Sequence, residues 1–171
     1  LIEPVVHGDA RGFFLESFRE DLLRELGVDE HWRQDNHARS GRGVLRGMHF
    51  ALPPGQAKLI RCVRGSIVDV CVDIRRGSPT YGRWEAVELD DVTHRMLFVP
   101  VGFGHGYCVI SEVADVVYKC THPYDPALER EVAVKTLTVE GTLDEESRRR
   151  FEIEALLPNI HLPMEIPGPN A

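Results

Sequence analysis

From Trp32 to residue 120 the chain is an almost unbroken series of short apolar runs separated by glycine, proline or serine turns. Runs of this kind form strands, and many in succession close into an all-β sandwich or barrel. The best defined spans residues 67–74. Period two puts Val68, Val70, Val72 and Ile74 on one face and Ile67, Asp69, Cys71 and Asp73 on the other, so two carboxylates share a face with apolar neighbours. Asp73, beside the next turn, fits a solvated or a buried position; mid-strand Asp69 is expected to point into a polar barrel interior. Further strands are read at residues 2–6, 13–18, 84–89, 96–99, 107–110 and 115–120, the last with Val116, Tyr118 and Cys120 on one face. Residues 7–12 read as a turn, and the glycines of residues 100–107 as a tight bend around His105.

Helix signals are confined to the flanks. Ser17 and Glu20 have capping-box spacing, Leu22, Leu23 and Leu26 share a helical face and Gly27 stands as a stop, which predicts a short helix over about residues 18–26, a lid on a sheet edge. Thr142 with Glu145, followed by Leu143, Phe151 and Leu156 and ended by Pro158, predicts a helical C-terminal tail within residues 142–171. With 171 residues, one domain is expected, its core at about residues 2–130.

Composition narrows the function classes. No apolar run approaches the roughly 20 residues of a membrane span. A net charge of −7 disfavours broad contact with a nucleic-acid backbone. Cys62, Cys71, Cys108 and Cys120 sit singly, without C-x-x-C spacing, as buried reduced thiols do, and the first residues lack the order of a secretory leader. The cytoplasm is the expected compartment.

The chemistry concentrates in residues 43–61. Gly43 and Gly47 permit sharp backbone excursions, and Leu45, Met48 and Phe50 supply apolar cover, so Arg46, His49 and Lys58 are placed to enter one cavity. Alone, such a histidine is more often a hydrogen-bonded core residue, and Tyr118 more often core filling. Together with His105, Asp69 and Tyr118 the set holds a base that works near neutrality, cations for an oxyanion and a phenol that returns a proton. Those are the parts needed to exchange a hydrogen next to a carbonyl.

These motifs resemble one family. Asp9–Glu16, Gln34-Asp35-Asn36-His37, Gly43–Phe50, Lys58-Leu59-Ile60-Arg61, Asp69–Arg75 with Ser78-Pro79-Thr80-Tyr81-Gly82, Pro100–Tyr107 and Tyr118–Thr121 are similar, in uninterrupted order over about residues 2–130, to the dTDP-4-dehydrorhamnose 3,5-epimerases. The resemblance implies a cupin-type jelly roll, a homodimer exchanging N-terminal strands, and a dTDP-linked 4-keto-6-deoxyhexose as substrate, with no metal or organic cofactor. It also implies His49 as the base, Lys58 as the enolate stabiliser and Tyr118 as the acid on the far side. Arg11, Glu16, Gln34, Asn36 and Arg46 match positions near the nucleotide, diphosphate or sugar, Phe13 a thymine-stacking position across the dimer, and His105 a sugar contact. Tyr124, in the Tyr-x-Pro turn, joins the substrate-binding set.

The chain departs from the family after Glu129. Members carry a Trp-Asp-Asp-Pro-like segment whose aspartate pairs with the base histidine; here Val134-Lys135-Thr136-Leu137 follows, with Thr136 where that carboxylate is expected. Retained epimerisation would then have Asp69 or a water orienting His49; the alternative is a sugar-nucleotide-binding jelly roll with lost or redirected chemistry. A metal-dependent cupin oxygenase is a weaker rival, because His49 is followed by Phe50 and Ala51 with no glutamate before Gln56.

Overall fold

The computed structural model describes residues 1–131; the expected helical tail and Thr136 lie outside them. The strands are β1 (Val6–Asp9), β2 (Gly12–Leu15), β3 (Gln34–Gly41), β4 (Leu45–Ala51), β5 (Lys58–Arg64), β6 (Ser66–Asp73), β7 (Trp84–Asp90), β8 (Met96–Val99), β9 (Phe103–Val109), β10 (Val113–Cys120) and β11 (Glu129–Glu131), with one helix, α1 (Glu20–Glu25). They make a four-stranded sheet, β3-β10-β5-β8, and a five-stranded sheet, β11-β4-β9-β6-β7, both antiparallel. From β3 onward consecutive strands cross between the two sheets, except for the β6–β7 hairpin, and this is the cupin-type jelly roll.

The alternation read over residues 67–74 holds. Ile67 and Cys71 face a core formed with Ile60, Leu89, Leu97, Val99, Val109 and Val116, contributed by both sheets. Val68, Val70, Val72 and Ile74 pack with Met48, Phe50 and Cys108 on the other face of the five-stranded sheet. β6 is thus buried on both sides, with Asp69 and Asp73 among the apolar residues of one face. Asp73 proves buried rather than solvated. Arg75 and the hydroxyls of Ser78 and Thr80 donate to its carboxylate at 2.6–2.9 Å, which ties down the loop after β6.

Three expectations need correction. The N-terminal strand is β1, not residues 2–6; only Ile2 makes a bridge, to Met96, and the turn shrinks to Ala10-Arg11 between the paired Asp9 and Gly12. Asp9 accepts from the Arg11 backbone N–H, so that turn is closed by a side chain. The capping box at Ser17 does not form: α1 starts after Arg19, without a side-chain cap. The helix does cover a sheet edge, since Met96 and Phe98 beneath it belong to β8, the last strand of the four-stranded sheet. Leu23 alone of its leucines is buried, against Leu59 and Met96 on the outer face of the four-stranded sheet, with Trp32 and Phe98 beside it. Finally, His105 lies within β9 rather than at a bend, because the turn is completed at Gly102 and the ladder to β6 already includes Phe103.

Candidate active site

Between the sheets lies a cavity of about 630 Å³, lined from β3 by Gln34, Asn36 and Ala38, from β4 by Leu45, Arg46, Gly47 and His49, from β5 by Lys58, from β9 by His105 and Tyr107, from β10 by Tyr118 and from β11 by Glu129 and Glu131. Gln56 and Tyr124 complete it from loops, and a neighbouring cavity of about 390 Å³ shares Gln56, Lys58, Tyr124 and Glu129.

A break in the β4 ladder lets Arg46 and His49 serve the same space. Three residues apart, they would face opposite sides of a regular strand. However, Arg46 pairs with Tyr107 and His49 with His105, so the spacing of three on β4 meets a spacing of two on β9. That bulge restores both side chains to the cavity face. Gly47 makes it possible: its φ is +113°, and a Cβ there would stand 2.5 Å from Gly106 Cα. Arg46 is then steadied by donating Nε–H to the Ser40 hydroxyl at 2.9 Å.

His105 is 6% exposed and donates Nε2–H to Asp69, 2.8 and 3.0 Å from the two carboxylate oxygens. Asp69 itself has no exposed surface and sits behind the histidine, away from the cavity lining. The expectation that Asp69 orients His49 therefore gives way, since its carboxylate is engaged by His105. The cause is register: β9 lies between β4 and β6, so His105 is the histidine nearer Asp69. His49 has looser company, with Nδ1 3.8 Å from Glu129 and Nε2 3.6 Å from Glu131.

Burial lowers the pKa of Lys58, and nearby Cys120, Glu129 and Asp69 partly offset that effect. Burial likewise raises the Tyr118 phenol and pushes Tyr107 up to about 12, so both are neutral proton carriers at physiological pH. Gln34 and Asn36 are joined, Gln34 Nε2–H donating to Asn36 Oδ1 at 2.9 Å, and Gln34 Oε1 accepts from the Tyr124 backbone N–H at 2.7 Å.

The structure thus brings His49, Lys58, Tyr118, His105, Arg46, Gln34, Asn36 and Tyr124 to one cavity, with Asp69 behind it. It does not bring Arg11, Phe13 or Glu16 there. Arg11 pairs with Asp9, Phe13 lies 4.5 Å from the His94 ring and Glu16 pairs with Arg19, all at the N-terminal end of the chain. Sequence reading missed Gln56, Tyr107, Glu129 and Glu131 as cavity residues. Among the described residues, no group of three His, Cys, Asp or Glu side chains is gathered to hold a metal ion.

A family model described as dTDP-4-dehydrorhamnose 3,5-epimerase matches residues 1–149. The chain belongs to that family. The epimerase of that name from Shigella flexneri is 48% identical over 132 residues, covering 76% of this chain and 73% of the relative. Among solved structures, the Bacillus anthracis dTDP-4-dehydrorhamnose 3,5-epimerase with TDP and PPi bound superposes with a TM-score of 0.78 at 38% identity, covering 83% of this chain and 82% of the other. A 3'-monoepimerase from Streptomyces bikiniensis in complex with dTDP-quinovose gives a TM-score of 0.74 at 44% identity, over 77% of this chain and 67% of that one. The proteins this chain resembles thus include ones named as 3,5-epimerases and one named as a 3'-monoepimerase.

Proposed function

We propose that this chain inverts C3, C5 or both of a dTDP-linked 4-keto-6-deoxyhexose, with His49 as base, Lys58 as oxyanion stabiliser and Tyr118 as acid. The carrying observation is that three different strands, β4, β5 and β10, deliver these three side chains to one cavity. His49 takes the proton from the carbon beside the C4 ketone, and the electron pair moves onto the ketone oxygen. A lysine whose charge is disfavoured by burial gains most when a negative oxygen forms next to it. The neutral Tyr118 phenol returns a proton to the opposite face of the same carbon, and the resulting imidazolium and phenolate are reset by exchange with water. His105, fixed by Asp69, contacts the sugar.

Arg46, Gln34, Asn36 and Tyr124 are assigned to the diphosphate and nucleotide. A guanidinium fork holds a diphosphate well within an otherwise acidic chain. The two adjoining cavities, with four shared residues, offer an elongated space suited to a sugar nucleotide. TDP and dTDP-sugar ligands in the relatives' structures support the same class. Their epimerase names weigh against a binding-only jelly roll.

We assign Arg11, Phe13 and Glu16 to the site of a second copy, in a homodimer that exchanges its N-terminal strands. Support comes from the hairpin: β1 and β2 pair only with each other, and Phe13 and Phe14 are 61% and 66% exposed. Large exposed aromatics on a hairpin outside the two main sheets favour an apolar partner surface. The free cysteines, buried or half-buried, fit work in the reducing cytoplasm. Deuterium incorporation from D₂O at C3 and C5 of dTDP-4-keto-6-deoxyglucose tests the reaction, and light scattering tests the dimer. No exchange with ligand bound, or a monomer in solution, would overturn the respective assignment.

A further inference from the structure

β11 is a three-residue edge strand whose register on β4 sets Glu131 opposite His49 and Arg130 opposite Phe50. Side chains alternate along a strand, so Glu129 and Glu131 share the face of His49 while Arg130 is directed away. Each imidazole nitrogen therefore looks at a carboxylate, Nδ1 at Glu129 across 3.8 Å and Nε2 at Glu131 across 3.6 Å. The two carboxylates are not equivalent. Glu129 lies beside the Tyr124 phenol, whose pKa it pushes up, and its charge also acts on Lys58. Glu131 has His49 as its one ion-pair partner among the described residues. Its side chain is 83% exposed, and exposed side chains change rotamer readily.

We propose that Glu131 is the positioning residue of His49, accepting from Nε2–H and leaving Nδ1 as the base nitrogen. The inference rests on His49 being the epimerase base. When the substrate proton arrives at Nδ1 the ring becomes a cation, its Nε2–H still held by Glu131. The carboxylate keeps its charge throughout and takes no proton. An acceptor on the second nitrogen fixes the tautomer that a histidine base requires and stabilises the charged ring. The position of Nδ1 agrees, because Glu129 places that nitrogen on the side of Lys58 and Tyr124. Since Glu131 is largely exposed, water screens it, and its loss should slow turnover roughly tenfold rather than by the larger factors of a buried partner.

The test uses the full chain labelled with nitrogen-15 in histidine, the His49 signals being assigned by their disappearance in His49→Ala. The wild type should show the Nε2–H tautomer, and Glu131→Gln a mixture of tautomers, with Glu131→Asp recovering part of the original signal. In parallel, kcat for deuterium exchange should fall roughly tenfold in Glu131→Gln with KM nearly unchanged. An Nδ1–H tautomer in the wild type, or signals and kcat unaltered in Glu131→Gln, would overturn the inference. So would a change confined to Glu129→Gln, which would give the role to Glu129. A wild type that binds the sugar nucleotide without exchanging protons would sink the epimerase reading instead, while the imidazole signals would still decide whether Glu131 holds the ring.

Discussion

Two histidines face one another across the β4–β9 ladder and are held in opposite ways. His105, on a strand flanked on both sides, is almost fully buried and clamped to the inaccessible Asp69 at 2.8 Å. His49, one strand from the edge, has a side chain 37% exposed, with its carboxylates at 3.6 and 3.8 Å. The clamped imidazole suits holding a substrate in one orientation. The looser one suits a group that must gain and lose a charge at every turnover, with water and movable carboxylates to respond. The lesson is that residue type does not separate the two; distance from the sheet edge does.

The comparison is broken most severely at His49. His49→Ala should lower the exchange rate by about 10²–10⁴-fold, the usual worth of a general base, yet cost no more than about 1 kcal/mol of stability, since the side chain is partly exposed in an open cavity. A large stability loss there would make His49 a second structural histidine. Asp69→Ala should behave in the reverse sense: removing one partner of a buried pair costs about 3–5 kcal/mol, read by denaturant unfolding, before any kinetic effect is counted.

Lys58→Met should lower kcat by about 10²–10³-fold, as loss of an oxyanion donor does, while raising stability at neutral pH. The sign follows from the lowered pKa. Below the folded-state value the folded chain carries a charge it disfavours, and between that value and the ordinary lysine value the unfolded chain binds more protons, so wild-type stability rises with pH through that window. The rise should vanish in Lys58→Met, as thermal melts from neutral to alkaline pH would show. Gly47→Ala should cost about 1–3 kcal/mol, the usual strain of a side chain held at such a φ, plus the contact with Gly106. It should also move His49 off its aim, lowering kcat.

Much of the fold was legible because the strands are short and their alternation regular. The faces of β6 follow from period two, β8 begins and ends where the residue pattern does, and Tyr118 points inward as its parity demands. Where local signals competed with tertiary pairing, pairing won. Ser17 and Glu20 have the spacing of a capping box, but the chain stays extended through Arg19, the helix N-cap. His7, Gly8 and Asp9 look like a turn, yet they have partners in Phe14, Phe13 and Gly12. The site was half legible for a related reason. Arg46 and His49 share a face only through a bulge that no periodicity shows, and Glu129 and Glu131 reach His49 only through the register of a strand too short to leave a pattern. Asp69 was read correctly as inward-facing, but which histidine it meets is a property of strand order.

The central claim is that this cavity moves protons at the carbons flanking a ketone. Incubating the wild type in D₂O with dTDP-4-keto-6-deoxyglucose and following C3 and C5 by NMR tests it most directly. Deuterium is expected at C3, C5 or both, and none in His49→Ala; bound ligand with no deuterium at either carbon in the wild type would show that the cavity does not catalyse this exchange.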